Sequence, residues 1–331
     1  MELNFKIASS SLLQQAGLKA FGSETKIKKI VTLNNTADDS LLFSKYADYE
    51  LLKKLANLSG CLMVLPKEAS RISIFNKLSG NNSIVLSENP RLDFARLMQV
   101  LEEKIKNDLE NLEYEYKNGV FIGKRTFIGK NTFLEPGAFI DHDVKIGDNC
   151  IIRSGVIIRS RVQIGNNVTI RENTVVGGPG FGIEKDENGN NLRIPHLGGV
   201  IINSNVEIGA LNTVVAGTIE PTVIGEYVKT DDHVHIAHNC YIGKNTTITA
   251  CVEISGSVFI GENCMIGPNS SIMNGIKIGN NTLVGLGSVV TKTVAKNKIV
   301  AGNPADLIEN IKTQRKVMKK IIEGYKKSSN N

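Results

Sequence analysis

Three of the five histidines in the chain lie in one short segment, beside two aspartates. The segment reads Asp231-Asp232-His233-Val234-His235-Ile236-Ala237-His238-Asn239-Cys240. An imidazole titrates near neutral pH, so one of these histidines could act as a general base, with a nearby carboxylate orienting its ring. Clustered histidines are also common ligands of Zn²⁺. The residue types alone therefore leave open catalysis, metal binding, or three solvated histidines without a role.

An aliphatic residue that recurs every six positions indicates which elements position this segment. The first run is unbroken, and the second slips by four residues before Ile224. The runs consist of Ile122, Ile128, Leu134, Ile140, Ile146, Ile152, Ile158, Ile164, Ile170, Val176, and of Ile202, Ile208, Val214, Ile224, Thr230, Ile236, Ile242, Ile248, Ile254, Ile260, Ile266, Ile272, Ile278, Val284, Val290. A helix would repeat every 3.6 residues, whereas six residues fit one short strand and one turn. The pattern predicts a parallel β-helix built on hexapeptides, with Gly, Asn and Asp at its tight corners.

The phase of the repeat separates the three histidines. If Val234 and Ile236 point inward, His235 points outward from a flat face, while His233 and His238 lie near different corners. Histidines arranged in this way do not converge on one ion. The phase therefore disfavours a metal site and favours catalysis by a single histidine.

Composition narrows the class of protein. The chain has 331 residues, enough for two or three folding units, and 22% charged with 41% hydrophobic residues is typical of a soluble globular protein. Aromatic residues make up 5% and Trp is absent, which suits a core of stacked Ile and Val. The net charge of +6 comes with scattered lysines, so we expect no nucleic-acid partner, although a basic surface suits phosphorylated small molecules.

The cysteines and the N-terminus bear on the compartment. Cysteines at 61, 150, 240, 251 and 264 form no CxxC pair, and we interpret them as free buried thiols in a reducing compartment. Residues 1–17 alternate polar and apolar types and lack the apolar core of a signal peptide. No apolar run is long enough to span a membrane. We therefore expect a cytoplasmic protein that does not insert into membranes.

The period divides the chain into segments. Residues 1–104 lack the period, and their pattern indicates an α/β domain. Its strands are expected at Val31–Leu33, Ser40–Phe43, Cys61–Leu65 and Ser83–Leu86, and its helices at Asp48–Ala56 and Arg91–Leu101. Residues 105–117 are highly charged and predict a linker, and 118–292 predict the β-helix. Residues 293–331 predict a turn followed by a lysine-rich helix that caps the β-helix.

One insertion interrupts the β-helix at 177–199, which reads GGPGFGIEKDENGNNLRIPHLGG. Insertions into a repeat array form surface loops, often on the binding face. An aromatic residue, Phe181, stands among glycines here, and the chain becomes apolar again at Ile194-Pro195. These features favour a binding role over a loop without function.

Several motifs together resemble a known family. "HIAHNCYIG" at 235–243 is similar to the hexapeptide acyltransferases of lipid A synthesis. Residues 87–97, which read SENPRLDFARL, the insertion's Gly180-Phe181-Gly182 with Ile194-Pro195, and Val206–Ala210 resemble UDP-3-O-acylglucosamine N-acyltransferases over nearly the whole chain. The resemblance implies a left-handed β-helix that forms a homotrimer with active sites between subunits. It also implies transfer of an acyl group from a thioester to the amino group of a nucleotide-linked amino sugar.

The resemblance assigns roles to individual residues. His238 would be the catalytic base and Asp231 its carboxylate neighbour. Backbone amides at the corners could stabilise the developing oxyanion, and we suggest Gly256, after Ile254-Ser255, as one such donor. Phe43 and Tyr49 match the aromatic pair that holds the uracil ring. We add three further residues to the expected substrate site, namely Tyr46, Phe181 and Asn239.

The chain also departs from the lipid A pattern. Lipid A enzymes have a second histidine after an Asn-Gly pair, where this chain has Asn274-Gly275-Ile276. The ending Ala301–Ile308, AGNPADLI, resembles instead the coenzyme A-dependent acetyltransferases of nucleotide amino-sugar pathways. The acyl-donor site is therefore expected at Asn274, Gly275, Lys292, Lys298, Ala301 and Gly302. Lys292, Lys296 and Lys298 would meet CoA phosphates, or they form a solvated turn.

These departures favour a short or 3-hydroxy acyl-CoA as co-substrate, no tightly bound cofactor, and an acceptor such as a dTDP-linked 4-amino-4,6-dideoxyhexose of the anthrose type. Three alternatives stay open. The protein could be the lipid A enzyme itself, using 3-hydroxyacyl carrier protein. It could be a non-catalytic hexapeptide protein, or a metal protein similar to γ-class carbonic anhydrases. It could also be a regulatory protein that binds a nucleotide without turnover.

Overall fold

The computed structural model describes residues 1–328, which divide into two compact units. The first unit contains Met1–Glu113 together with two later segments, Pro179–Gly199 and Gly217–Pro221. The second contains Tyr114–Gly178, Val200–Ala216 and the chain from Thr222 onward. The insertion, which the sequence analysis assigned to the β-helix, thus folds with the N-terminal residues. Its Leu197, and Ile219 of the second segment, are buried in the core of the first unit.

A six-stranded mixed sheet forms the centre of the first unit. Its four inner strands run parallel, and an antiparallel strand closes each edge. In spatial order the strands are Glu2–Ala8, Lys26–Ile30, Ser40–Phe43, Leu62–Pro66, Ser83–Ser87 and Phe21–Gly22. The strand predicted at Val31–Leu33 was wrong, because the strand that pairs with Ser40–Phe43 is Lys26–Ile30.

Helices cover both faces of this sheet. The helices are α1 (Ser9–Ala16), α2 (Tyr49–Leu55), α3 (Phe75–Gly80) and α4 (Pro90–Glu110), with a 3-10 turn at Lys67–Arg71. Alternate strand residues point to opposite faces, so Leu41 and Leu62 pack with α1 and α4, while their neighbours Leu42 and Met63 pack with α2 and α3.

Helix α4 begins where the sequence predicts and runs further than expected. Pro90 occupies its first turn, and the side chain of Asn89 accepts the N–H of Leu92 at 3.2 Å, which satisfies one unpaired amide of that turn. The helix continues to Glu110 and buries Ile105, so much of the expected linker at 105–117 is helical. The strand Tyr114–Lys117 then opens the second unit.

The insertion forms a β-hairpin within the first unit. Gly182–Lys185 pairs antiparallel with Asn191–Ile194, and a turn at Asp186–Asn190 joins the two strands. Salt bridges join the hairpin to α4, from Arg91 to Glu184 at 2.9 Å and from Arg96 to Glu187 at 2.5 Å. The side-chain amide of Gln99 also donates to the carbonyl of Arg193 at 3.0 Å. The hairpin is therefore a positioned element rather than a loose loop.

The second unit is a β-helix of three largely parallel sheets, here called sheets I, II and III. Most of their strands contain two residues, and the last pair of sheet I and the first pair of sheet II are antiparallel. Sheet I contains Phe133–Leu134, Ile151–Ile152, Thr169–Ile170, Glu207–Ile208, Lys229–Thr230, Thr247–Ile248, Met265–Ile266, Leu283–Val284, Ile299–Ala301 and Asp306–Leu307. Sheet II contains Tyr114–Lys117, Val120–Gly123, Phe139–Ile140, Ile157–Ile158, Val175–Gly178, Thr213–Val215, His235–Ile236, Glu253–Ile254, Ser271–Ile272 and Val289–Val290. Sheet III contains Phe127–Ile128, Lys145–Ile146, Val162–Ile164, Val200–Ile202, Thr222–Ile224, Tyr241–Ile242, Phe259–Ile260 and Lys277–Ile278.

The chain turns three corners in each coil. Corner 1 leads from sheet I to sheet II, corner 2 from sheet II to sheet III, and corner 3 from sheet III back to sheet I. Undisturbed coils repeat every 18 residues, as the pairing of Glu253 with Ser271 shows. The recurring aliphatic residues form one continuous core, which confirms the prediction from the period. The four-residue slip before Ile224 is explained by Gly217–Pro221, which belongs to the first unit.

Tight corners require a left-handed backbone, and the sequence supplies residues that tolerate it. In corner 3 this position is held by asparagines and by one Tyr227, in the order Asn131, Asn149, Asn167, Asn205, Tyr227, Asn245, Asn263, Asn281 and Asn297. Asparagine adopts positive φ more readily than most residues. Side-chain amides of neighbouring coils also bond to one another, as from Asn281 to Asn297 at 2.9 Å.

Helix α5, Ile308–Ser328, ends the described chain. Leu307 packs against the β-helix core just before the helix begins. Val317, Met318, Ile321 and Ile322, further along, are about half exposed within the chain. No helix of the described residues is long and apolar enough to cross a membrane.

We expect that Ile254→Ala destabilises the β-helix. Ile254 is fully buried in the stacked core, and truncating such a residue leaves a cavity that costs about 2–5 kcal/mol. Glu253→Ala, at the neighbouring outward position, is the matched control and should change stability little. Urea unfolding followed by circular dichroism measures both. Equal midpoints for the two variants would contradict the stacked-core account.

Candidate active site

Corner 2 brings several of the expected site residues into one line. The register of sheet II stacks Thr213, His235, Glu253, Ser271 and Val289. Three residues after each of these, at the same register, stand Ala216, His238, Gly256, Asn274 and Lys292. Adjacent strands lie about 4.8 Å apart, so this line runs parallel to the axis of the β-helix. We call it the His238 column.

The ring of His238 lies directly against the backbone of Gly256, one coil further along. A Cβ atom on Gly256 would stand 2.5 Å from Cε1 and 2.6 Å from Nε2 of that ring. Only glycine allows the imidazole this position. Ser255 and Ser257 donate backbone hydrogen bonds at 3.1 and 2.8 Å, while the Gly256 amide between them has no backbone acceptor among residues 1–328.

Asn239 contacts His238 within the same corner. Its side-chain nitrogen lies 3.0 Å from Nδ1 of His238, and its backbone φ is +59°. Asn239 was predicted to bind the substrate, and the structure adds a contact that orients the imidazole.

Asp231 stands in a different corner. It begins corner 1, and the strand His235–Ile236 separates it from His238 in corner 2 of the same coil. Its Oδ1 accepts the backbone N–H of Asp232 at 2.8 Å. Asp232 in turn accepts hydrogen bonds from Arg171 at 3.0 Å and from the amide of Ala210 at 2.8 Å.

The expected acyl-donor residues are distributed over all three corners. Asn274, Gly275 and Lys292 lie in corner 2, where the first two are exposed and continue the line from His238. Lys298 ends corner 3, and its carbonyl accepts the N–H of Leu283 at 2.9 Å. Ala301 and Gly302 are in register with corner 1, since Val284 pairs with Val300.

The positive charge of Lys292 helps to lower the pKa of a nearby carboxylate, that of Asp306. The pKa of Asp306 is lowered, first by a hydrogen bond from Asn310, then by the amide of Leu307, and also by the positive charge of Lys292. The end of the His238 column therefore carries a cation beside an ionised acid.

Both excursions into the first unit leave the β-helix at corner 2. The insertion follows the strand Val175–Gly178, and the second excursion follows Thr213–Val215. The chain returns each time to sheet III, at Val200 and at Thr222. The next corner 2 along the chain is the one that carries His238. Corner 2 thus differs from corners 1 and 3, because in the described chain only corner 2 is interrupted by segments of the first unit.

The expected aromatic substrate residues belong to the first unit. Phe43 is half-buried and stacks on Phe94, with ring centroids 4.5 Å apart. Tyr46 and Tyr49 are exposed, by 77% and 48% respectively, as a stacking surface requires. Ser44 fixes the backbone of Tyr46, because its hydroxyl accepts the N–H of Tyr46 at 3.1 Å and donates to the carbonyl of that residue at 2.6 Å.

Phe181 is held in place despite its exposure. Its side chain is 77% exposed, yet the guanidinium of Arg193 lies 5.5 Å from the ring centroid, and Nη1 of Arg193 donates to the carbonyl of Gly180 at 2.8 Å. His196 packs beneath, against Gly180 and Gly182. Arg193 was not predicted from the sequence, because it comes near Phe181 only through the pairing of the hairpin strands across a turn. The Asn-Gly pair at 188–189 was the available signal for that turn.

The cysteines divide into buried and exposed thiols. Four are buried, but Cys251 is exposed, so the expectation of five buried thiols was wrong for Cys251. That residue falls in a corner at φ +59°, where its side chain points away from the core. Burial raises the pKa of Cys240, beneath His238, to about 11.

We therefore expect brief alkylation of the native protein at pH 8 to label Cys251 alone. A thiol with a raised pKa stays protonated at that pH, and burial excludes the reagent as well. Mass spectrometry after iodoacetamide treatment gives the number and position of labels. The denatured protein, in which all five cysteines react, is the control. A native label on Cys240 would contradict the expected burial.

Within residues 1–328, no group of three His, Cys, Asp or Glu side chains is arranged to hold a metal ion. His233, His235 and His238 occupy, in order, corner 1, the flat face of sheet II and corner 2. His235 instead contacts its neighbours along the sheet, with Nδ1 lying 2.5 Å from the hydroxyl of Thr213 and Nε2 3.9 Å from Glu253.

Comparison with known proteins adds to this geometry. The family model for bacterial transferase hexapeptide repeats matches residues 125–160, 221–256 and 257–292. A UDP-3-O-acylglucosamine N-acyltransferase of Coxiella burnetii is 49% identical over 83 residues, which cover 25% of this chain and 24% of that protein. UDP-3-O-acylglucosamine N-acyltransferase 2 of Legionella pneumophila is 49% identical over 151 residues, or 46% and 44% of the two chains. The matches thus span less than half the length of these relatives.

Among solved structures, the UDP-N-acetylglucosamine acyltransferase of Campylobacter jejuni is similar with a TM-score of 0.49 at 23% identity, over 58% of this chain and 73% of that one. Residues 125–160 and 221–292 thus match the hexapeptide repeats of bacterial transferases, here within the parallel β-helix, and the relatives with similar sequence are named N-acyltransferases.

Proposed function

We propose that the protein is an N-acyltransferase that moves an acyl group from a thioester to the amino group of a nucleotide-linked amino sugar. The observation that carries this proposal is the contact of His238 with Gly256 in corner 2, which sets an imidazole beside an amide that has no backbone acceptor in the described part of the chain. A base next to an oxyanion donor is what acyl transfer needs. The names of the relatives support the same reaction.

The proposed reaction has two steps. The sugar amine attacks the thioester carbonyl, and His238 takes the proton that the nitrogen loses. If Asn239 turns its amide oxygen toward a protonated Nδ1, then Nε2 is the atom that receives this proton. The amide of Gly256 stabilises the negative oxygen of the tetrahedral intermediate. Collapse of the intermediate breaks the C–S bond, forms the amide and releases a thiol that recovers the proton.

The donor follows the His238 column toward the C-terminal end of the β-helix in this proposal. Asn274 and Gly275 are exposed along that line, and a Cβ atom on Gly275 would meet no other atom within 4 Å, so the path beside it is open. Lys292, one coil further, offers a cation to a phosphate. In a phosphorylated thioester such as acyl-CoA, the phosphates lie far from the reacting carbon. This matches a column that begins with the base His238 and ends with the cation Lys292.

A homotrimer would complete the proposed site. Asp231 lies in corner 1 and His238 in corner 2, with a strand of sheet II between them, so a pairing of these two side chains calls for a second copy of the chain. Ala301 and Gly302, also in register with corner 1, would approach the donor from that copy in the same way. Three copies around one axis give each corner 2 a neighbouring corner 1.

The first unit is proposed to bind the nucleotide part of the acceptor. The exposed rings of Tyr46 and Tyr49 and the half-buried Phe43 suit a pyrimidine, and Phe181 offers a further stacking surface. These aromatic faces accept thymine or uracil. A dTDP-linked 4-amino-4,6-dideoxyhexose with a short or 3-hydroxy acyl-CoA is the first candidate pair, supported by Ile276 in place of an imidazole and by Lys292 at the column's end.

A second candidate is supported by the relatives. Both are named for UDP-3-O-acylglucosamine, so the acceptor here could be the same compound and the donor a 3-hydroxyacyl carrier protein. That reaction uses the same His238 and Gly256. It differs in the donor, which would present a protein surface rather than the phosphates of free CoA.

One experiment separates the two candidates. CoA is titrated into the purified protein by calorimetry, and thiol release is then followed with acetyl- or 3-hydroxybutyryl-CoA and dTDP- or UDP-linked amino sugars. CoA binding with sugar-dependent thiol release supports the first candidate and identifies its nucleotide. Turnover only with hydroxyacyl carrier protein and UDP-3-O-acylglucosamine supports the second. No transfer with any pair, from protein that is folded by circular dichroism, rejects the proposed function.

A further inference from the structure

The left-handed position of corner 1 contains an unusual group of residues. Eight residues hold it in the described chain, in the order Gly137, Gly155, Asn173, Leu211, His233, Cys251, Asn269 and Gly287. All but three are Gly or Asn. The three exceptions, Leu211, His233 and Cys251, occupy consecutive coils at φ +56°, +59° and +59°.

This choice of residues costs stability. For an ordinary side chain, the left-handed conformation brings Cβ too close to the backbone, whereas Gly and Asn adopt it at little cost. His tolerates it better than Leu or Cys, so Leu211 and Cys251 are the stronger outliers. Strained residues of this kind persist where the side chain itself has a use, and they concentrate at functional sites.

Corner 2 also holds residues other than Gly and Asn at this position, namely Arg125, Asp143, Arg161 and Ser257, and Arg125 forms an ion pair with Asp143 there at 2.7 Å. Corner 3 provides a closer comparison. There the single exception to Asn is Tyr227, and its ring has a partner in the same chain, since the ammonium of Lys244 lies 5.5 Å from the ring centroid. Leu211 is 49% exposed. Cys251 is exposed too, and among residues 1–328 its thiol makes no hydrogen bond. Packing within the chain therefore accounts for Tyr227 better than for the corner 1 group.

The position of the group suggests its use. His233 is five residues before His238 in the same coil, and Leu211 and Cys251 lie in the coils on either side. Along the axis of the β-helix the group is therefore level with His238, and it lies at the opposite edge of sheet II. Ala210 and Ala250 precede Leu211 and Cys251, whereas Asp232 precedes His233 and accepts the amide of Ala210 at 2.8 Å. The corner therefore offers two apolar side chains on either side of an imidazole that stands beside carboxylates.

We infer that Leu211 and Cys251, with His233 between them, are specificity residues that one copy of the chain supplies to the His238 site of its neighbour, where they contact the acyl group of the thioester. This inference rests on the proposed function, because only a trimer that sets corner 1 against corner 2 brings the group to that site. Leu211 and Cys251 offer apolar contacts to the acyl carbons next to the reacting carbonyl. His233 offers a hydrogen bond to a hydroxyl on that chain.

Substitution by Asn tests the inference through stability and activity together. L211N and C251N remove strain, so each should raise Tm by about 1–3 °C. Each should also lower kcat/KM by about tenfold, because an apolar contact to the acyl group is lost. Y227N in corner 3 is the matched control, and it should leave kcat/KM unchanged.

Alkylation of Cys251 provides a second readout in the assembled protein. With acyl donor at about ten times its Kd and no acceptor present, iodoacetamide labelling of Cys251 should slow by about tenfold. The donor is the acyl-CoA or the acyl carrier protein that the wild type turns over. The acceptor nucleotide sugar alone, as a control, should protect less.

The outcomes distinguish this inference from the proposed function. If the wild type transfers acyl groups but L211N and C251N remain fully active, or the donor gives Cys251 no protection, the inference is rejected and the function stands. If the native assembly is never labelled at Cys251, the corner is a closed interface and the inference is rejected as well. If the wild type transfers nothing, the proposed function fails and the inference fails with it.

Discussion

Replacing His238 by alanine is expected to lower the rate of acyl transfer by about 10²-fold or more, because general-base catalysis typically contributes that much. The attacking amine must lose a proton, and His238 presents its ring in corner 2 where Gly256 lets it approach the backbone. Thiol release with the acyl donor and amino sugar that the wild type turns over measures the effect on kcat and KM separately.

His235→Ala is the matched control for this substitution. His235 belongs to the same segment but faces outward from sheet II and contacts Thr213 and Glu253, so its loss should leave most of the activity. A loss below roughly tenfold in His238→Ala would remove the base role and assign it to the departing thiolate. The pH profile provides a second check, since the acidic limb of kcat/KM should disappear with the imidazole that causes it.

The β-helix could be predicted because its signal is local and repeated. Nearly every inward position carries an aliphatic residue and nearly every corner an Asn, Gly or Asp, so the period survives single exceptions such as Thr230 and Cys251. The same phase placed His235 on a flat face and His233 and His238 in different corners, and the structure agrees.

Other parts of the fold could not be predicted because their signals are tertiary. Leu197 and Ile219 are typical aliphatic residues in sequence, and only the folded chain shows that both are buried in the first unit. The strand Glu2–Ala8 alternates polar and apolar residues, but nothing local indicates that it pairs with Lys26–Ile30. The charged residues after Leu101 suggested a linker, yet they form the exposed face of α4 while Ile105 stays buried.

The sequence predicted which residues the candidate site contains better than it predicted the contacts between them. The resemblance pointed to His238, the chemistry of corner amides suggested Gly256, and the 18-residue register explains why the two residues touch. That Asp231 belongs to another corner followed from the same register, although pairing it with His238 was attractive from the sequence alone. The contact of Asn239 with the imidazole, and the support of Phe181 by Arg193, depend on side-chain geometry that a linear pattern does not contain.

Gly256→Ala is the second substitution with a large expected effect, and it tests geometry rather than chemistry. The added methyl group would stand 2.5 Å from Cε1 of His238, closer than such atoms approach in proteins, so the imidazole must move. A displacement of about 1 Å can cost about 10²-fold in rate, and we expect a loss of that order with His238 still present. Thiol release measures the rate, and circular dichroism establishes that the variant is folded.

The control for this variant is Gly178→Ala, which also ends a strand of sheet II at corner 2. A Cβ there meets its nearest atom, in Val175, at 3.8 Å, an ordinary contact, so activity should be retained. A Gly256→Ala enzyme with normal kcat would mean that neither the ring position nor the open approach to the amide matters. If kcat falls as far as in His238→Ala, and the double variant falls no further, then the two residues act as one unit, because Gly256 would serve chiefly to position the imidazole.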